Sequence, residues 1–242
     1  MVDFADIRGL KLARRALEIA AAGRHNVLLV GPPGCGRTML ARRLPGLLAT
    51  DAPFRAPHHT CSAAGLVGGY GSSFAGAAKQ HPTSEVALAR GGVLFLDEAP
   101  EFSRLALDSV AYVLTHDATA PLLVAAASPC PCGYAGTARC RCAPDAVERY
   151  LSRMAPLRAV CDIQLRLEAV DLGSLADAPA GETTAVVAAR VATARAKRRP
   201  ALASALDRVA RTIADLDGSE MVREAHIAEA RLLRGDKPSL SL

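Results

Sequence analysis

The stretch "NVLLVGPPGCGRTML", Asn26 to Leu40, decides the fold. The run "HNVLLV", His25 to Val30, reads as a short buried strand. Glycines and prolines follow at Gly31, Pro32, Pro33, Gly34, Cys35 and Gly36. Arg37, Thr38 and Met39 then open an apolar helical pattern. Strand, glycine loop and helix come in the order of a phosphate-binding unit. The glycines allow a tight turn that aims backbone N–H groups inward, and the helix start behind them suits an anionic phosphate. Thr38 offers a hydroxyl to Mg²⁺. The position that usually carries lysine holds Arg37, whose guanidinium keeps the charge but is planar and larger. Phosphate binding through the amides is expected to survive this change. Hydrolysis is expected to suffer more, because it depends on charge placed closely against the transition state.

A second motif, "GVLFLDE", runs four apolar residues into Asp97 and Glu98. A strand ending in these two acids matches the phosphate loop chemically: Asp97 would order Mg²⁺ through water, and Glu98 would polarise the attacking water. "PLLVAAAS", ending at Ser128, and "CDIQLRLEAV", from Cys161, read as third and fourth strands. Helical patterns cover Asp6 to Ala22, the stretch from Thr38, "SEVALAR", "SRLALDSVAYVLTH" and "PDAVERYLSRM", the last with Pro144 in its first turn. The segment from Ala49 to Gln80 reads as loop. Strands alternating with helices predict an α/β fold with a parallel sheet covered on both faces. Asp, Gly and Pro accumulate from Asp171 to Glu182, which predicts a domain boundary. The expected division is a nucleotide-binding domain over 1–170 and a small all-helical lid over 171–242, with helices at Thr183–Arg198, Ala201–Leu216 and Ser219–Arg234. Ser219 is the expected cap of the last one, and the tail after it is expected to fray.

The chain has 242 residues, half of them hydrophobic but only 4% aromatic and none Trp, so the core must be built from Ala, Val, Leu and Ile. A net charge of +5 is compatible with a nucleic-acid partner. The short basic run at Arg195 to Pro200 reads as a solvated helix end. No stretch approaches the roughly 18 uninterrupted apolar residues of a membrane span. The start "MVDFADIRG" lacks the apolar region of a signal peptide. Seven cysteines, four of them clustered, favour a reducing compartment, and a cytoplasmic location is expected. The cluster, within 130–142, spaces Cys130, Cys132, Cys140 and Cys142 as two C-x-C pairs. Four thiolates could close a tetrahedral zinc site, and four reduced thiols in a compact loop are an equal alternative. Cys61 and Cys161 read as small apolar residues, and Cys35 lies in the phosphate loop. His58 and His59 in "RAPHHT" suggest a metal or catalytic pair, but adjacent histidines rarely point the same way, so a loop role is expected, and His226 reads as a surface or cap residue.

Seven stretches together carry a resemblance: "DFADIRGLKLARRALEIAAAGRHNVLLVGPPGCGRTMLARRLPGLL", "FRAPHHT", "GVLFLDEAPEFSR", "SPCPCGYAG", "CRC", "RYLSRM" and "VARTIADLDGSE". They resemble the magnesium-chelatase-like AAA+ ATPases of the ComM/YifB type over nearly the whole chain. The resemblance implies an AAA+ core with a helical lid, ATP and Mg²⁺ as cofactors, hexameric rings on DNA, and branch migration or helicase action in recombination and competence. It also implies that Gly31 to Met39, Asp97 and Ser128 contact the nucleotide, with Arg37, Asp97 and Glu98 in the chemistry. Departures are specific. Members of the family usually begin with a further amino-terminal domain. Ser128 stands where the family has a longer polar residue that senses the γ-phosphate. The stretch before the third strand is shorter, without the basic hairpin expected to touch DNA. Val160 occupies the position of the arginine that reaches a neighbour's nucleotide, with Arg158 nearby. The lid arginine is also replaced. Two other functions stay open: a non-hydrolysing nucleotide-binding regulatory or degenerate paralogue, and a zinc-dependent nucleic-acid-binding module.

Overall fold

The computed structural model describes residues 2–68, 82–169, 173, 178–197 and 202–235. Half of the expected boundary at 171–182, the part of the expected loop from 69 to 80, part of the basic run at 195–200 and the tail after 235 lie outside the described residues.

A five-stranded parallel sheet forms the centre, in the order β2-β3-β4-β1-β5. Its strands are β1 (Val27–Val30), β2 (Phe54–Arg55), β3 (Val93–Leu96), β4 (Leu122–Ala127) and β5 (Ile163–Arg166). β1 lies between β4 and β5, with Val27 opposite both Val124 and Ile163. Alternate residues serve two separate cores, as a strand's period of two dictates. Val27, Leu29, Val93, Phe95, Val124 and Ala126 face one core, while Leu28, Leu94, Leu96, Leu123 and Ala125 face the other. Every residue of β3 and β4 is buried, which explains their unbroken apolar sequences.

α1 (Lys11–Gly23) packs on the first face together with α2 (Arg37–Arg43) and α3 (Pro45–Leu48). α4 (Ala63–Val67), α5 (Glu85–Leu88), α6 (Arg104–His116), α7 (Pro144–Ser152) and α8 (Ala155–Val160) follow along the chain. α4, α5, α6 and α8 bury residues in the second core. Ser62, Ser84 and Ser103 each cap the helix that follows them with a side-chain oxygen. After β5 the described chain is helical: α9 (Thr184–Ala196), α10 (Ala205–Leu216) and α11 (Glu224–Leu233). Val187, Val191, Val209, Ile213 and Leu233 join the same core as α1. This is a P-loop AAA+ α/β fold with an all-helical portion at its C-terminal side.

Several elements differ from the sequence reading. A fifth strand, β2, and α4 lie in the segment read as loop; β2 has only two residues and shows no period, yet it pairs with Val93 and Leu94. The first helix begins at Lys11 rather than Asp6, because Gly9 takes a φ of +70°, outside any helix, after a separate 3-10 turn at Phe4–Asp6. The helix from the phosphate loop is interrupted at Pro45, which lacks the N–H needed to continue it. The last helix starts at Glu224, not Ser219. The Ser219 N–H donates to Ala214 O at 2.8 Å and so closes α10, while His226 Nδ1 accepts from the Arg223 N–H at 3.0 Å. His226 is thus a cap residue, as expected, but a buried one.

Candidate functional site

The loops that follow β1, β3 and β4 leave the carboxyl end of the sheet, where open parallel sheets bind ligands. The Gly31 N–H donates to Ala127 O at 3.1 Å and carries the ladder into the phosphate loop. Gly34 and Gly36 have φ of +80° and +92°, which allows the reversal into α2 without a Cβ clash. Cys35 points inward and is fully buried, and burial pushes its thiol up. Pro32 and Pro33 form the loop's front, and Pro33 faces Gly133 of the cysteine loop. Met39 packs against the first core, so its side chain supports the loop from behind.

Thr38 and Asp97 meet directly. The Thr38 hydroxyl donates to Asp97 Oδ2 at 3.0 Å, and Asp97 Oδ1 accepts from the Glu98 N–H at 3.0 Å. These are hard oxygen donors at the strand ends, of the kind Mg²⁺ takes while keeping several of its waters. Glu98 adopts a left-handed backbone, φ +49°, unusual for a residue with a side chain. Its carboxylate is 63% exposed and so open to an incoming ligand or water. Arg37 lies across from β4, its Nη1 donating to Ser128 Oγ at 3.4 Å, a long contact. Gly31 to Thr38, Asp97, Glu98 and Ser128 therefore share one end of the sheet.

Two further residues reach this end: His59, which the sequence reads as a loop residue, and Tyr150, which the sequence does not single out. His59 Nδ1 lies 4.0 Å from Glu98 Oε2, and its ring stacks on His58 at 4.0 Å and meets the edge of Phe102 at 6.4 Å. The adjacent histidines were the only signal, and they gave no direction. Tyr150 on α7 is half-buried; burial raises its phenol, Glu101 adds to the rise, and Arg37 and a hydrogen bond with Ser128 oppose it. Nothing in "ERYLSRM" marks that tyrosine as different from a surface residue. Arg158 is engaged within its own chain, its Nε donating to Gln164 Oε1 at 3.4 Å.

The cysteine loop stands beside the phosphate loop. The sulfurs of Cys130, Cys132, Cys140 and Cys142 all lie within 4.8 Å of one another. Backbone amides of Arg141 and Tyr134 hydrogen-bond to Cys132 and draw its thiol down to about 6.

With this geometry in place, known proteins supply the family. The family model for magnesium chelatase, subunit ChlI, matches residues 3–52 and 48–175, and the model for the ChlI C-terminal region matches 202–234. The chain belongs to the magnesium chelatase ChlI family. Among relatives, Competence protein ComM of Haemophilus influenzae is 34% identical over 310 residues, 95% of this chain and 59% of ComM. The uncharacterized protein YifB of Escherichia coli is 32% identical over 308 residues, covering 94% of this chain and 59% of YifB. An uncharacterized protein of Mycobacterium tuberculosis is 38% identical over 234 residues, 80% of this chain and 45% of its own. The chain spans between 45% and 59% of the length of these relatives. The 310-residue match to ComM is longer than this ChlI-family chain itself, so ComM carries extra residues inside the matched region. The two pieces of the ChlI match meet at 48–52, just before β2. The link from α6 to β4 is only Asp117 to Pro121, closed by Asp117 Oδ1 accepting from the Thr119 N–H at 2.8 Å. Among the described residues, no helix is long and apolar enough to cross a membrane.

Proposed function

We propose that this ChlI-family chain is an ATP-binding AAA+ ATPase of the ComM type with weakened hydrolysis, acting on DNA as a homo-oligomeric ring, a hexamer by family resemblance, in the cytoplasm. The observation that carries the reading is the convergence of Thr38 and Asp97 at 3.0 Å beside the phosphate loop. In this reading, the amides of Gly31 to Thr38 hold the ATP phosphates, and Thr38 and Asp97 hold Mg²⁺, which would screen phosphate charge. Glu98 orients and polarises the attacking water, its exposed carboxylate and left-handed backbone turning it away from the sheet. His59 stands beside Glu98, its Nδ1 4.0 Å from Oε2. Residues 1–170 act as the nucleotide-binding domain and 171–242 as the lid. Competence is the process that the name of ComM suggests for it.

Weakened hydrolysis rests on Arg37 and Ser128. An ammonium is compact and reaches between β- and γ-phosphates, whereas the Arg37 guanidinium extends toward β4 and spends one N–H on Ser128. The same contact favours a second reading, a nucleotide-binding regulator without turnover. ATP binding and hydrolysis by the purified chain, with Glu98→Gln alongside, separate the two. Turnover that disappears in Glu98→Gln supports the ATPase. Tight binding with no turnover in either protein, with or without DNA, supports the regulator and removes the motor.

A further inference from the structure

We propose that Cys130, Cys132, Cys140 and Cys142 form a structural zinc site whose purpose is to clamp the phosphate loop. The sulfur spacing carries the metal. Cys130 Sγ lies 3.4 Å from Cys132 Sγ and 3.9 Å from Cys140 Sγ, and Cys132 Sγ lies 3.8 Å from Cys140 Sγ. A tetrahedral zinc with bonds of about 2.3 Å sets its sulfurs roughly 3.8 Å apart, whereas a disulfide needs about 2.05 Å. All four sulfurs therefore stand at ligand separation, and none is at bonding distance from another.

The loop is also built around the sulfurs. The Ala135 N–H donates to Cys130 Sγ at 3.2 Å, and the amides of Tyr134 and Arg141 are turned onto Cys132. Such outer hydrogen bonds orient thiolate ligands. Cys130 is fully buried, at the root of the loop directly after Ser128 and Pro129. Four soft sulfur donors select zinc over Mg²⁺, and four protein ligands leave no open position for catalysis. Zinc binds the thiolate forms, so the thiol protons leave to solvent as the site fills.

The consequence for the nucleotide end lies in Gly133. It sits between two ligands with φ +84°, and a Cβ placed there would lie 2.9 Å from Pro33 Cδ. The knot is pressed so closely on the phosphate loop that only glycine fits. It also fixes the chain directly after Ser128. A filled site would hold Pro33 and Ser128 in place together. The clamp deepens the nucleotide-site reading, but the metal itself does not depend on it.

The test uses the full chain, expressed with zinc, kept reduced and purified without a metal-affinity step. Metal analysis should find one zinc per chain, lost in the double variant Cys132→Ser, Cys140→Ser. Cobalt exchanged into the unaltered chain should give the intense visible bands of a tetrahedral thiolate site. A reduced chain that holds no zinc and takes up no cobalt overturns the site. The clamp is read by amide hydrogen exchange without any nucleotide. Gly133→Ala should keep its zinc yet lose protection across residues 31–38, while β3 and β4 stay protected. Unchanged protection in that variant overturns the clamp. Because no ATP is present, neither result is confused with failure of the ATPase reading.

Discussion

The two ends of β1 treat polar groups in opposite ways. At the amino end, His25 Nδ1 lies 2.8 Å from Asp162 Oδ2 and Nε2 lies 2.8 Å from Thr212 Oγ1. Arg208 Nη2 donates to Asp162 Oδ1 at 2.6 Å, and Asn26 bridges the Val160 carbonyl and the Leu123 N–H. Burial pushes the Asp162 carboxyl up, but hydrogen bonds from His25 and Arg208 outweigh it and hold the group below its usual range. At the carboxyl end, Glu98 stands in solvent, Arg37 makes one long contact, and the loop glycines present backbone rather than side chains. A buried network completed within the chain holds β1, β5 and α10 together. An end with spare donors and acceptors is where a ligand can complete the set. Stability and chemistry are thus separated by the length of one short strand.

The separation can be broken by experiment. The largest expected effect is on turnover: Glu98→Gln should lower the rate by about 10²–10⁴-fold, the usual worth of a general base, with stability within about 0.5 kcal/mol of the parent. A large loss of stability would show that the open end also holds the fold. Next, Asp162→Ala leaves buried His25 and half-exposed Arg208 without their carboxylate and should cost about 1–3 kcal/mol in denaturant unfolding. Nucleotide affinity of the folded variant should be unchanged. A smaller effect concerns acid. Because the folded Asp162 is held below the unfolded value of about 3.9, its stabilisation is complete above that pH and is lost as pH falls through the lower, folded value. Asp162→Asn should flatten the stability profile in this acidic window; an unchanged slope would assign the loss to other carboxylates. Smallest is Ser103→Ala, which removes the 3.2 Å bond from the Ala106 N–H and should cost about 1 kcal/mol without altering ATP affinity.

Legibility in the sequence followed the same division. The phosphate loop and the Asp97–Glu98 strand end could be read because their residue types are tied to chain-local geometry: a glycine turn after a strand, acids at a strand's end. The unbroken apolar runs of β3 and β4 were legible because both faces are covered. By contrast, β2 owes its pairing to Val93 and Leu94, far along the chain, and two residues cannot display a period. His59 and Tyr150 reach Glu98 and Ser128 only through the packing of distant elements. Nothing local marks His25, since its partners Asp162 and Thr212 come 137 and 187 residues later. The start of α11 was missed because Ser219 serves the helix before it.

The helices that cover α1 have a consequence for synthesis. Ala16, Leu17, Ala20 and Ala21 of α1 are fully buried or nearly so, in one core with Val187, Val191, Val209 and Ile213. The ribosome makes α1 before the sheet and makes α9 and α10 after it. Until Ile213 has emerged, the nascent chain carries α1 covered by the sheet, α2 and α3 alone, without the helices that complete its core. Long-range closure of this kind is slow and leaves apolar surface open to aggregation. The interval between α1 and α10 is therefore when that incomplete core is most open to aggregation.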